Sequence, residues 1–518
     1  MRRLGGAGRA DDPSIEPYLM AFSRGAAGSF IGVVAAAVFG LALVIVVTRG
    51  FTRAEVGVFF ETVALFTLAT TVAVWGADTG VVRTIPRLVV LGRVRDARPV
   101  IRIAAIAVLA VALVLAFALA IFARPLSDLL TSGVSLRDME TQLRASAPFL
   151  PVAAVYAVVL AATRGLGRMG PTNLVDRVGR TAAQPLFALG VASMGMGAAA
   201  LIVSWALPYA ISCVVAGVWL LSILRSTGDR YVEPATDRRI LFGEFWRFAA
   251  PRGLAGVFAV AVLWLDTLLL GALRSTEEAG VYAAATRFLV FGGFTSQAVI
   301  QAIAPTMSEL ITRRNLAAAA SVYRTGTAWS IALGWPVYLT LAVFAPAILA
   351  SFGAGYREAA TALAIVAVAM LVGSGVGAID VVLLMAGKSS WNLLNAAAAV
   401  AVNVALNLVL IPRMGMTGAA IAWAASIVTN NVAPLIQVRA HLGIDPLSRG
   451  TVSMAVAACV AFGVVGLLLR AAFGLHVGVL VAAVLAGLVI YVPLIWRLRR
   501  VLGLDLLVRS ARRRGSMA

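Results

Sequence analysis

Residues 100–123 read VIRIAAIAVLAVALVLAFALAIFA, and from Ile103 to Ala123 no side chain is charged or polar. A helix crosses a hydrocarbon core with about 20 such residues, so this stretch is long enough to span a membrane. Comparable runs recur at 25–48, 56–77, 145–164, 174–193, 196–224, 248–273, 279–304, 326–350, 359–386, 391–412, 414–438, 451–472 and 476–496, fourteen spans in all. The whole composition agrees. Of 518 residues 61% are hydrophobic and only 13% charged, against roughly 25% charged in a soluble domain. A water-soluble fold of this length has too little interior to hide that apolar surface, and disordered chains are poor in apolar residues. The expected fold class is therefore all-α and integral to the membrane. The first span is too long for a signal-peptide core, and its leader carries Asp11, Asp12 and Glu16, so it reads as a retained helix.

The net charge of +20 is almost wholly arginine, Lys388 being the only lysine. Counted with the adjoining helix ends, the N-terminus and the even-numbered connections hold 33 of the 43 basic residues, and the odd-numbered connections hold nine. The one left over, Arg287, lies inside a span. This is the positive-inside pattern, which places both termini in the cytoplasm of a cell (plasma or inner) membrane protein. The charge sets topology, with the basic tail available to anionic lipid headgroups, and nucleic acid is not an expected partner. Cys213 and Cys459 lie in apolar runs and histidine is limited to His441 and His476, so no disulfide framework or zinc site is expected. No gap is long enough for a folded soluble domain; 124–144 and 225–247 read as short loops or interfacial helices.

An internal repeat runs through the chain. Met194-Gly195-Met196 returns as Met414-Gly415-Met416, and at the same spacing of 220 Gly167-Arg168 matches Gly387-Lys388. Glu55-Val-Gly57-Val-Phe59 resembles Glu278-Ala-Gly280-Val-Tyr282 at a spacing of 223. The offset carries each span onto the one six places later, so the copies share one orientation, a known plan for transporters with the substrate site between the halves. The chain divides accordingly into a cytoplasmic segment 1–24, a six-helix half 25–224, a cytoplasmic linker 225–247, a second six-helix half 248–438, two further helices within 451–496, and a basic cytoplasmic tail 497–518.

The segment from Glu278-Ala-Gly-Val-Tyr-Ala-Ala-Ala-Thr-Arg287 to Pro305 resembles the start of the second half in polysaccharide exporters of the multidrug/oligosaccharidyl-lipid/polysaccharide exporter (MOP) superfamily. Gly387-Lys388, Asn403, Asn407, Ile411-Pro-Arg-Met-Gly415 and Gly418-Ala-Ala-Ile-Ala422 are similar to that family's later signature, Phe352-Gly353 with Tyr356 and Ala359-Ala360 resembles its intervening loop, and Gly76-Ala-Asp78 through Gly80 to Arg83 echoes it in the first half. Fourteen spans match the lipid-linked oligosaccharide (Wzx-like) flippases better than the twelve-span drug antiporters. The resemblance implies an oligosaccharide on an isoprenoid pyrophosphate, moved from the cytoplasmic to the outer leaflet by alternating access for cell-surface polysaccharide assembly. No covalent step is needed. The other implied partners are membrane lipids and polysaccharide assembly proteins. Sugar hydroxyls and phosphate charge are costly to bury in hydrocarbon; a wet, cation-lined cavity between the halves removes that barrier while the lipid tail stays outside.

Arg287 is the sharpest candidate for that cavity. Inside a span a charge needs a cavity or a partner, and a guanidinium there would grip a pyrophosphate through paired hydrogen bonds; the structural alternative is a salt bridge to Asp266. Arg252 lies fourteen residues before Asp266, within about 40° of the same helix face. Two readings stand for that pair: a polar stripe facing a cavity, with Asp266 carrying a coupling proton or sodium ion, or a buried ion pair. Arg24 and Arg83, at cytoplasmic helix ends, would meet an entering phosphate or merely mark topology. Glu61, Asp78 and Asp380 are weaker candidates, Asp380 as a second coupling-ion residue. Asn403 and Asn407 share a helix face and would bond sugar hydroxyls or join helices. Gly165-Leu-Gly-Arg-Met-Gly170 fits the dinucleotide pattern, but it follows a membrane span rather than a strand and is set aside. No Walker loop or zincin motif is present, and no cofactor is expected beyond a proton or sodium gradient. The nearest rival is a drug or cation antiporter of the same superfamily, for which an acidic cavity is the expected mark. A membrane enzyme would need an extramembrane catalytic domain, and a transport-inactive scaffold is the remaining alternative.

Overall fold

A computed structural model describes residues 16–131, 135–226, 237–289 and 313–498, with isolated positions between 292 and 311. Every element in it is helical. Among the described residues eleven helices are long and apolar enough to cross a membrane, or twelve if the pair Leu136–Ser146 and Phe149–Gly165, bent by 47°, forms one broken span. The chain is an all-α, multi-pass membrane protein. The expected span 174–193 is helical from Pro171 to Ser193, but Asp176, Arg177 and Arg180 make its first half polar. The expected span 279–304 runs beyond the described residues.

The first helices are α1 (Glu16–Gly50), α2 (Arg53–Val74), α3 (Ala77–Val90) and α4 (Ala97–Ile121). The sequence 124–144 forms two short helices, α5 (Ala123–Leu130) and α6 (Ser135–Ser146), before α7 (Phe149–Gly165). A π-helical stretch, Pro171–Arg180, leads into α8 (Thr181–Ser193), followed by α9 (Ala198–Ser226). The second part opens with α10 (Arg238–Leu273) and α11 (Thr276–Thr286) and continues with α12 (Leu316–Leu349), α13 (Ala360–Val376), α14 (Ile379–Met385), α15 (Ser389–Met414) and α16 (Met416–Leu442). Last come α17 (Arg449–Ala458) and α18 (Val465–Phe473), joined by a π-helical turn, and α19 (Val477–Arg497). They pack on α12.

The matching segments have matching local structure. Thr52 caps α2, its hydroxyl accepting from the Glu55 amide while the Glu55 carboxylate accepts from the Thr52 amide. Ser275 caps α11 by accepting from the Glu278 amide. Each cap ties up amides that a helix start leaves without partners. Gly195 and Gly415 both take positive φ, 63° and 53°, at the tight connections after α8 and α15. At Gly415, with ψ of −132°, a Cβ would also come within 2.5 Å of Glu278 Oε2, whereas one at Gly195 meets nothing within 4 Å. Gly415→Ala is therefore expected to cost about 1–3 kcal/mol, and to lower the apparent unfolding temperature in detergent more than Gly195→Ala. Equal shifts would count against this account.

The two parts meet along α2–α3 and α10–α11. At one end of this seam a Cβ on Gly57 would overlap the Thr276 carbonyl, and one on Gly280 would fall 2.6 Å from the Gly57 nitrogen. At the other end the chain breaks at Trp75 and Gly76, both left-handed, and packs its backbone on α10: a Cβ on Gly76 would lie 2.5 Å from the Ala249 carbonyl, and one on Gly253 2.5 Å from the Trp75 carbonyl. Small residues at such crossings let helix backbones touch. They also leave no room for a ligand there.

Candidate functional site

Midway along the seam, on α10, the Asp266 carboxylate is buried and accepts three hydrogen bonds. Asn403 Nδ2 donates to Oδ1 at 2.9 Å, Asn407 Nδ2 donates to the same oxygen at 2.6 Å, and Tyr282 Oη donates to Oδ2 at 3.1 Å. Asn407 Nδ2 also donates to Asn403 Oδ1 at 3.1 Å. The four-residue spacing of the asparagines puts both amides on the face of α15 that meets α10. The cluster thus ties α10, α11 and α15 together, so the asparagines do join helices, and they do it through the one acid in the network. Asn407 Oδ1 is buried without a partner, leaving acceptor capacity beside the carboxylate. One carboxylate beside a single free amide oxygen suits a proton or a hard monovalent cation; among the described residues no group of three or more His, Cys, Asp or Glu side chains is placed to hold a metal ion.

Neither ion pair considered for Asp266 forms. Arg252 is fourteen residues away on the same helix, about 21 Å along its axis at 1.5 Å per residue, so sharing a face does not bring the charges together. Arg287 instead lies over the Trp264 ring at 3.9 Å, with Phe60 of α2 at 5.9 Å. Its Nε is buried without a hydrogen-bond partner. A cation on an aromatic face in a dry setting is worth about 2 kcal/mol, which holds the guanidinium at the seam and leaves its Nε–H unspent.

Arg252 lines a cavity of about 560 Å³ together with Arg247, Phe248, Asp380, Asn392 and Asn430. Arg83 of α3, not itself a lining residue, packs on the Phe248 ring that borders this cavity, its guanidinium 3.8 Å from the ring, with that of Arg252 5.9 Å from it. Two of the arginines singled out from sequence, one from each part of the chain, thus converge on one aromatic residue. The cavity lining itself comes from α10 and α14–α16 alone rather than from both sides of the seam, where an interface cavity was expected; the glycine contacts that close the seam are the physical reason. Arg24 falls on α1, where side chains lie outside the described residues. Asp78, near the start of α3, is not among the residues lining this cavity.

Sequence reasoning missed several partners. Phe248 and Trp264, which hold the arginines, carry no polar signature, and Tyr282 was read only as part of a motif. Arg180, counted as a topology marker, is paired with Asp176 at 2.7 Å and covers the Tyr209 ring at 4.6 Å. The glycine motif 165–170 joins α7 to the π-helical stretch and touches no sheet.

A family model described as polysaccharide biosynthesis protein matches residues 22–311, more than half of the chain. The chain belongs to this family. No curated protein sequence matches it. Among solved structures, the lipid II flippase MurJ in an inward closed conformation superposes with a TM-score of 0.71 at 12% identity, covering 93% of this chain and 99% of that one. An inward-facing multidrug resistance MATE family transporter of the MOP superfamily gives 0.61 at 15% identity, covering 79% and 94%. A MOP superfamily transporter from Pyrococcus furiosus gives 0.55 at 16% identity, covering 82% and 95%. At these identities the shared property is the fold.

Proposed function

We propose that the chain is an alternating-access transporter of the plasma membrane that flips an isoprenoid-pyrophosphate-linked oligosaccharide outward for cell-surface polysaccharide assembly. The observation that carries this reading is the convergence of Arg83 and Arg252 on Phe248 beside a cavity that also holds Arg247 and the amides of Asn392 and Asn430. Among the described residues Arg247 and Arg252 form no ion pair and outnumber the one lining carboxylate, Asp380, so the cavity matches a pyrophosphate, and amides match sugar hydroxyls. The family description and the likeness to a lipid II flippase support the same choice. In this reading Arg24 meets the phosphate at the cytoplasmic entrance, Arg287 receives it at the seam, and Asp266 with Asn403 and Asn407 binds the coupling ion, Asp380 being the alternative site. The architecture is fourteen spans, two parallel six-helix repeats within 25–224 and 248–438 plus two C-terminal helices, with both termini cytoplasmic. The self-matching contact of Gly57 with Gly280, one repeat offset apart, supports a two-fold axis along the membrane normal.

A drug or cation antiporter is the second reading. It has the more direct support from solved folds, since multidrug transporters are prominent among them, and Asp266 would serve such a transporter equally well. The sign of the cavity separates the two. Arg83→Gln and Arg252→Gln are each expected to weaken binding of an isoprenoid pyrophosphate to the purified protein by roughly 10–100-fold, the worth of a charge-assisted hydrogen bond of about 1.5–3 kcal/mol. Depletion of the protein is expected to leave lipid-linked glycan on the inner leaflet. Unchanged pyrophosphate affinity in both variants, or an unchanged glycan pool, would transfer the assignment to the antiporter.

A further inference from the structure

Glu61 of α2 has no place in the scheme above. It is fully buried, and neither carboxyl oxygen has a hydrogen-bond partner. Its Oε1 lies 2.1 Å from where a Cβ on Gly271 of α10 would be, and the Leu130 carbonyl, at the last residue of α5, lies 2.9 Å from the same point. That carbonyl, at a helix C-terminus, repels a carboxylate and accepts from a carboxylic acid. On α6, packed against α2, Gln142 is also fully buried with neither amide atom bonded. The acidic side chains on α4, α6, α7, α9, α10 and α11, the helices packed around α2, are Asp138, Glu140, Glu244, Asp266, Glu277 and Glu278, with the phenols of Tyr156, Tyr209 and Tyr282 and the Cys213 thiol; the cations on these helices are arginines, and Arg287, just after α11, lies 5.9 Å from the ring of Phe60. None of them bonds to Glu61; Asp266 is held by the amides of α15, and Glu278 pairs with Arg274 at 3.2 Å.

Position gives this group its leverage. Glu61 is one helical turn from Gly57 on the same face of α2, directly inside the Gly57–Thr276–Gly280 contact. Beyond that contact, Arg49 Nε and Nη2 donate to the Ser351 carbonyl at 3.0 and 2.9 Å, and Arg53 pairs with Glu358 at 3.4 Å. Parting of the helices here would bring water to Glu61; their contact excludes it. An ionised carboxylate sealed in without a partner is strongly disfavoured.

We propose that Glu61 is a proton-binding site in the seam, neutral while α2 and α11 are in contact and ionised when their first turns part. The proposal rests on the reading that the two halves move against each other. Raising the pH then favours parting, because ionisation of Glu61 is accommodated only in the parted form.

The test is a thiol reporter. Thr276→Cys, in a background of Cys213→Ser and Cys459→Ser, places the one cysteine at a position 4% exposed under the Gly57 contact. Its labelling rate by a hydrophilic maleimide is measured on the purified protein across a pH series, with Glu61 intact and with Glu61→Gln. At each pH the ratio of the two rates cancels the thiol's own ionisation. The expected ratio is near one in acid and rises with pH by up to about tenfold per unit, the limit for one proton. Glu61→Asp is expected to keep a rising profile, which a merely space-filling role would not require. A ratio that stays flat, or an aspartate variant as flat as the glutamine one, overturns the assignment of Glu61. A parent protein whose thiol is unlabelled at every pH overturns the moving-halves reading as well, so the two failures are told apart.

Discussion

Gly57→Val is expected to abolish transport while leaving the chain folded in the membrane. The added Cβ would overlap the Thr276 carbonyl, and neither backbone is free to yield: α2 is fixed there by the Thr52–Glu55 capping box and α11 by the Ser275 cap. Overpacking of this kind typically costs 1–3 kcal/mol, and here the cost falls only on the form in which the seam is closed. A bias of about 3 kcal/mol shifts that equilibrium by roughly a hundredfold, so the protein would be held with this end of its seam open. Under the proposed function, surface polysaccharide in a complemented strain reads the loss, and the Thr276→Cys reporter reads the opening. Gly280→Val is expected to behave alike, because Gly280 meets Gly57 across the proposed two-fold axis. Gly40→Val on α1, with nothing within 4 Å, is expected to be silent. Tolerance of Gly280→Val beside a dead Gly57→Val would sink the symmetric contact.

That pair of glycines also marks how far sequence reasoning reaches. The matching segments around Gly57 and Gly280 are legible because the turn chemistry is local: a hydroxyl cap, a glutamate three residues on, then a glycine. The spans are legible because lipid supplies no hydrogen bonds and enforces long apolar helices. Breaks within spans are harder. Trp75 takes φ of 42°, which its residue type does not announce, and α12 kinks at Phe344 because Pro346 follows, although Pro336 in the same helix produces no such break.

The site was legible in its members and illegible in its pairings. Asp266, Asn403 and Asn407 were each singled out, yet the acid was matched with Arg252 or Arg287, since charge looks for charge when only sequence is in hand. The amides that bind it are 137 and 141 residues away, a distance that only tertiary packing closes. Arg287, expected inside a span, follows the last residue of α11, and its partner is the Trp264 face; an aromatic residue in an apolar run carries no mark of that use. Arg83 and Arg252, read as a topology marker and a stripe residue, meet because the break at Gly76 packs α3 onto α10.

Asp266 is where a change of a single oxygen is expected to matter most. Asp266→Ala would strand Asn403 Nδ2, Asn407 Nδ2 and the Tyr282 hydroxyl in a dry site. Breaking a buried charged network from one side costs about 3–5 kcal/mol, so this variant is expected to be recovered poorly. Asp266→Asn keeps the volume and removes only the charge; it is expected to fold, to lose transport entirely, and to lose its response to the coupling ion. A ligand present at about 100 times its Kd stabilises the folded form by about 2.7 kcal/mol. The measurement is therefore the apparent unfolding temperature of the purified protein in sodium and in choline at equal ionic strength, repeated across pH. A rise with sodium in the parent that vanishes in Asp266→Asn identifies a metal-ion site; a dependence on pH alone that vanishes in the same variant identifies a proton site. An asparagine variant that keeps the parent's full response to both would move the coupling site away from α10, with Asp380 the next residue to change.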